Sequence, residues 1–191
     1  MGKIVHGNAN FGYAKISNSA GTLSFGTPVM LKGMVSMDIE VEQDSQTIYA
    51  DNEEYAIVRG AKVRTATGTF RYIDEAYAEL LGFKKNTSGM VTDTGKHEDH
   101  CIFFETTETD GSEETRTLHY LYSVNGDEPS FSSETDEDEV TPQEIEVGYK
   151  CKGSAIALDD EGMKVQYGYI TRTEANKTKY DAFLTGVILP K

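Results

Sequence analysis

Apolar and polar residues alternate with a period of two along most of the chain. Side chains on a strand point to opposite faces in turn, so this period predicts half-buried strands. The clearest run starts at Gly33: Val35, Met37, Ile39 and Val41 fall on one face, and Ser36, Asp38, Glu40 and Glu42 on the other. Residues 47–50 read as a short strand or a loop returning to the sheet, and Asp51-Asn52 supplies a turn signal. Residues 55–73 predict one or two strands, with Lys62, Arg64, Ala66, Gly68, Phe70 and Tyr72 on one parity. Their threonines favour strand over helix, because branching at Cβ restricts χ1 in a helix. Gly60 and Gly68 mark bulges or close backbone approaches.

One helix is predicted. Asp74 is a good N-cap, Tyr77, Leu80 and Leu81 form one apolar stripe, and Gly82 stands where a left-handed residue ends a helix. At about two turns it is marginal alone and needs a docking surface. Residues 84–99 read as a polar surface loop, and residues 101–105 (CIFFE), apolar on both parities, as a strand buried on both faces. A hairpin turn is predicted over residues 108–112. Leu118, Tyr120, Tyr122 and Val124 then alternate with His119, Leu121 and Ser123, up to a tight-turn signal at Asn125-Gly126. A strand starts at Ser130. Residues 134–139 hold five acids in six positions and read as a solvated loop or strand rim. Ile145, Val147, Tyr149 and Cys151 alternate with Glu144, Glu146, Gly148 and Lys150, and Met163, Val165, Tyr167 and Tyr169 form a further strand pattern. Residues 180–184 suggest a helical turn and residues 187–189 a terminal strand. The sum is a mainly β, antiparallel domain with one short docked helix.

Charge narrows the function. Lys and Arg number 18 against 32 Asp and Glu, a formal charge of −14 over 191 residues. A protein that grips phosphates wants a basic face, so a folded DNA reader is excluded. Eight Phe and eleven Tyr are too many for a disordered acidic chain. No run approaches the ~20 apolar residues that span a bilayer, so no membrane partner is expected. The N-terminus lacks the apolar core of a signal peptide, so Sec export is not expected. Cys101 and Cys151 are expected as thiols rather than a disulfide.

Candidate chemistry is thin. His97, Glu98, Asp99, His100 and Cys101 are the densest set of possible metal ligands, but no second Cys/His pair at finger spacing closes a tetrahedral site. Residues 89–97 depart from a phosphate-binding loop by one extra residue between the glycines and by His97 where Ser or Thr would hold magnesium. Residues 106–117 and 157–168 have glycine at the sixth place of a calcium loop but lack its first and last acids. No nucleophile elbow is present. No catalytic residue, cofactor or metal is predicted.

Several segments in one order resemble the major tail proteins, or tail tube proteins, of long-tailed phages and prophages of Gram-positive bacteria. They are residues 25–33 (FGTPVMLKG), the aromatic-Ala-Asp-Asn segment within residues 46–52 (QTIYADN), Gly68-Thr69-Phe70 followed by the short helix, residues 131–135 (FSSET) with 140–143 (VTPQ), and the aromatic-rich turn before residues 187–191. The resemblance spans most of the chain. It implies an antiparallel β-sandwich or barrel-like tail tube fold with one flanking helix. It also implies a single domain over residues 1–191, with an N-terminal arm of about residues 1–30 and an assembly loop of about residues 43–54. The implied function is structural: stacked hexameric rings form the tail tube through which DNA passes during ejection. The partners would be further copies of itself, the tape-measure protein, the tail terminator and distal tail or baseplate proteins. DNA would pass without specific binding, and the protein, made in the host cytoplasm, would reside in the virion tail.

On this reading Thr47, Ile48, Tyr49, Ala50, Asp51 and Asn52 are candidates for an inter-subunit loop. Asp38, Glu40, Glu42, Glu144 and Glu146 are candidates to face the lumen. Two alternatives share parts of the pattern. One is a β-sandwich carbohydrate-binding or adhesin module presenting Tyr120, Tyr122, Tyr167 and Tyr169. The other is the tube protein of a contractile injection system or tailocin.

Overall fold

The computed structural model describes residues 4–111, 113–131 and 142–191. The acidic run 134–139, Ser112, and residues 132–135 and 140–141 of the resemblance lie outside the described residues. The elements in chain order are β1 (Ile4–Ser19), β2 (Thr22–Phe25), β3 (Val29–Met30), β4 (Met34–Ala50), β5 (Glu53–Phe70), α1 (Glu75–Leu80), β6 (Phe83–Lys85), β7 (Val91–Asp93), β8 (His100–Asp110), β9 (Glu113–Gly126), β10 (Ser130–Phe131), β11 (Ile145–Cys151), β12 (Tyr167–Thr171), α2 (Lys177–Asp181) and a 3-10 turn, Ala182–Leu184.

The main sheet runs β2-β1-β8-β9-β11-β5-β4, with β10 on β11, β12 on β9 and β3 on β1. Its pairs are antiparallel. β3 pairs with β1 at Gly12 and Tyr13, while Met34, at the start of β4, stands opposite Phe70 of β5. Residues 29–34 therefore join the two ends of the sheet, and it curls into a barrel-like body.

Alternation on the central strands builds two cores. Ile102 and Phe104 of β8 enter the first with Phe11, Phe70, Tyr77, Leu80, Val147 and Tyr149. Cys101 and Phe103 enter the second with Leu118, Tyr120, Tyr122, Tyr180, Phe183 and Ile188. The strand expected to be buried on both faces is so. Cys101 and Cys151 are free thiols, one in the second core and the other packed against the first. Burial pushes the Cys101 thiol up, and raises that of Cys151 to about 11.

The predicted helix is capped as its sequence implies. Asp74 Oδ1 accepts from the Tyr77 N–H at 2.7 Å, and Gly82 follows the C-cap at φ +100°. Docking stabilises this short helix, because Tyr77, Leu80 and Leu81 are fully buried in the first core.

Five expectations are corrected. Residues 1–30, expected as an N-terminal arm, are built into the body over their described part, since β1 places Phe11 and Tyr13 in the first core and Ala14 in the second. Residues 43–54 are not a loop but the distal part of the β4–β5 hairpin. Residues 84–99 contain the small β6–β7 hairpin. Asn125-Gly126 ends β9 rather than turning: a Cβ on Gly126 would lie 2.3 Å from Leu81 Cδ2, so close packing explains the glycine. Residues 187–189 are not a strand; Ile188 is buried in the second core, and its carbonyl accepts from the Tyr122 hydroxyl at 2.9 Å.

Candidate assembly and lumen surfaces

Asp51 and Asn52 both lie in the left-handed region, at φ +53° and +64°. Two such residues make the tight turn whose twist matches a β-ribbon. The turn signal is therefore the tip of one long hairpin: β4 and β5 pair from Met34↔Phe70 out to Ala50↔Glu53. Register irregularities lie between Met34 and Ser36 and, with Tyr55 as the extra residue, between Ile48 and Tyr49; a third lies between Gln43 and Ser45. Beyond it the ribbon extends about 25 Å at ~3.3 Å per residue.

That distal arm belongs to neither core. Ile48, Tyr49, Tyr55, Ile57 and Val58 are 43–76% exposed. A lone two-stranded ribbon is marginal in water. This one carries apolar side chains that stay exposed among the described residues of its own subunit. Of the candidate inter-subunit residues, Thr47, Ile48, Tyr49 and Ala50 end β4, and Asp51 and Asn52 form the turn. Sequence reading missed the second half of the arm, Tyr55, Ile57 and Val58. The signal was present: two β-prone runs flank a two-residue turn.

Nearer the body the same strands have one apolar and one polar face. Met37 and Ile39 pack against the first core, whereas Asp38, Glu40 and Glu42 are exposed. Across the ladder Asp38 stands opposite Thr67, Glu40 opposite Thr65 and Glu42 opposite Val63. On the other side of β5, Glu146 stands opposite Thr69 and Lys150 opposite Thr65. Directly opposed residues share a face. Asp38, Glu40, Glu42 and Glu146 thus lie on one exposed face, among threonines. Lys150 shares that face and reaches Asp127 at 3.3 Å. Glu144 precedes β11 and pairs with Arg71 Nη2 at 3.1 Å.

The other candidate residues go elsewhere. Tyr120 and Tyr122 are buried and stacked with ring centroids 5.4 Å apart, so they form no open sugar platform. Tyr167 lies under the Arg64 guanidinium at 4.9 Å and bonds His119 through its hydroxyl at 2.7 Å; only Tyr169 of the set is well exposed. His97 Nδ1 binds the Gly126 carbonyl at 2.8 Å. His100 is fully buried, with Nδ1 2.8 Å from the Glu98 carbonyl and Nε2 3.4 Å from the Tyr77 hydroxyl. Among the described residues no group of three or more His, Cys, Asp or Glu side chains is placed to hold a metal.

Buried polar chemistry serves packing. Glu105, 2% exposed, accepts hydrogen bonds from Asn10 and from the Tyr180 hydroxyl, tying the C-terminal segment to β1 and β8. Tyr77 and Tyr149 join hydroxyls at 2.7 Å inside the first core. Burial raises both phenols and pushes His100 down to about 4.

A family model described as phage tail tube protein matches residues 2–191. No curated protein matches the chain.

Proposed function

Because this chain belongs to the phage tail tube protein family, we propose that it is a non-catalytic subunit of stacked hexameric rings, and that the tube so built conducts DNA during ejection. The observation that carries this reading is the arm. It is a ribbon with five exposed large apolar side chains on an acidic protein of net charge −14. Burying those side chains between copies supplies on the order of 5 kcal/mol per arm. A contact between unlike surfaces of identical subunits closes into a ring where its rotation closes and otherwise repeats along an axis, and a stack of rings uses both.

The exposed face of Asp38, Glu40, Glu42 and Glu146 is our candidate lumen wall. Its carboxylates repel phosphates over a Debye length of ~8–10 Å, and the cation on this face, Lys150, is paired with Asp127. Glu144 is at most a rim residue of that wall, because Arg71 neutralises it. The tape-measure protein would occupy the lumen during assembly, and the terminator and baseplate proteins would cap the ends.

The test replaces residues 45–59 by a two-residue Asn-Gly turn that joins Asp44 to Gly60. The shortened chain should keep its circular dichroism spectrum and cooperative melting yet form no rings or tubes by negative-stain microscopy. Tubes indistinguishable from those of the full chain would refute the role given to the arm. Unfolding would show that the arm belongs to the fold instead.

A further inference from the structure

The arm has two apolar faces, and a single neighbour covers one. We propose that each arm is clasped on both faces between two further copies of this chain. The inference rests on the tube reading above and adds to it the number and kind of surfaces that receive the arm.

The argument starts from alternation. Where β4 and β5 line the body, Met37, Ile39, Ala66 and Phe70 point to the core and Asp38, Glu40, Thr65 and Thr67 to solvent. One covered face thus leaves one apolar and one polar row. Beyond Asp44 and Gly60 that asymmetry ends. By register Val58 stands opposite Gln46 and Ala56 opposite Ile48, so Ile48, Ala56 and Val58 share one face. Ile57 stands opposite Thr47 on the other face, and Tyr49, next after Ile48 on the unbulged strand, alternates onto it, whereas Tyr55 is the unpaired residue of a bulge. Each face therefore presents large apolar side chains, 43–51% exposed on the first and 56–69% on the second.

Elsewhere in this chain the same two-sided pattern belongs to β8. There Ile102 and Phe104 enter one core, Cys101 and Phe103 the other, and separate layers cover the two faces. The arm has the sequence of such a strand pair without the layers.

The described residues of the subunit do not supply them. No arm residue joins either core. The cleft beside Glu105 and Arg116, about 610 Å³, holds a few side chains rather than a ribbon about 25 Å long. The covers are copies of this chain because tail tube proteins assemble from repeated copies. In a helical or stacked array an arm that crosses a junction meets two subunits side by side. The faces also differ in shape: the first is aliphatic, whereas the second carries Tyr49. The two receiving surfaces are therefore different patches of the chain.

The test uses the full-length chain with the photo-crosslinker benzoylphenylalanine at position 48, at position 57, or at both, irradiated after tube assembly. Each single site should give adducts between copies, the two sites should map to different peptides, and the double label should yield adducts of three copies. The paired variants Ile48→Thr with Val58→Thr, and Tyr49→Thr with Ile57→Thr, place β-branched residues at all four sites. Each should lower tube yield by more than about tenfold without altering the dichroism spectrum. Cross-links from one face alone, from both faces to one peptide, or to a different protein would overturn the clasp. So would wild-type assembly by either paired variant. The arm-shortened chain separates the two ideas: if it forms tubes, the assembly role of the arm fails, whereas if it does not and only one face cross-links, the clasp alone fails.

Discussion

His100 makes the fold sensitive to acid. Its ring is fully buried, and desolvation holds it neutral down to about pH 4. An unfolded histidine takes its proton near 6.5. The folded value is the lower one, so the stability associated with the neutral ring is fully present above about 6.5 and is lost as pH falls toward 4. Below 6.5 the unfolded chain binds the proton and the folded chain does not, so each further unit costs up to about 1.4 kcal/mol. Between pH 7 and pH 5 the loss is about 2 kcal/mol, with about 3 kcal/mol reached at lower pH. The assay is urea unfolding of the monomeric chain and of His100→Gln at pH 7, 6 and 5. Acid also titrates the many carboxylates, but these are common to both proteins, and the difference between the curves isolates the histidine. The wild type should lose about 2 kcal/mol relative to the variant, a midpoint shift just under ~1 M at a slope of about 2–3 kcal/mol per molar urea. A difference that stays flat from pH 7 to pH 5 would show that the buried ring accepts a proton without penalty, and the reasoning would fail.

Gly126→Ala should destabilise by about 1–3 kcal/mol, because its Cβ would sit 2.3 Å from Leu81 Cδ2. Thermal melts should show Leu81→Ala relieving that specific clash in the double variant, so the two losses should sum to more than the combined loss. Reversing Asp38, Glu40 and Glu146 to Lys in a complete phage should leave tubes intact but slow or stall DNA ejection. Normal ejection kinetics, or a tube structure with these residues on the outside, would reject the lumen assignment.

Much of the body was legible in the sequence because period two reports burial directly. Residues 101–105 on β8, the Met37/Asp38 alternation on β4 and the Asp74–Tyr77–Gly82 pattern of the helix all appear as read. Failures came where a neighbour in space overrides a local signal. Val124 was assigned to the face of Tyr120 and Tyr122, but a register shift opposite His100 and Ile102 turns it into the first core. Gly126 read as a turn residue because turns and tight packing both select glycine, and only the position of Leu81 tells them apart. Ile188 read as part of a strand because its apolar neighbours suit one, yet the segment packs by side chains and by the Tyr122 bond. The acidic face was visible as alternation. Its continuation from β4 to Glu146 depends on a pairing between β5 and β11 that no local pattern encodes.

The pairing of β1 has a consequence for the order of folding. Ile4 lies opposite Thr109 and Lys15 opposite His100, so the N-terminal strand has no long partner until more than half the chain has been made. The β4–β5 hairpin is local by comparison, with its tip closed by adjacent residues. Contacts near in sequence form faster than distant ones, and hairpins form in about 1–10 μs. The β4–β5 hairpin can thus take shape on a growing chain before the body that carries it has closed. Neighbouring nascent chains on one message would present such ribbons to each other while still incomplete. If the arm assembles the tube as proposed, productive growth would need body closure to outpace encounters between ribbons, and synthesis rate would then matter beside the stability of the finished subunit.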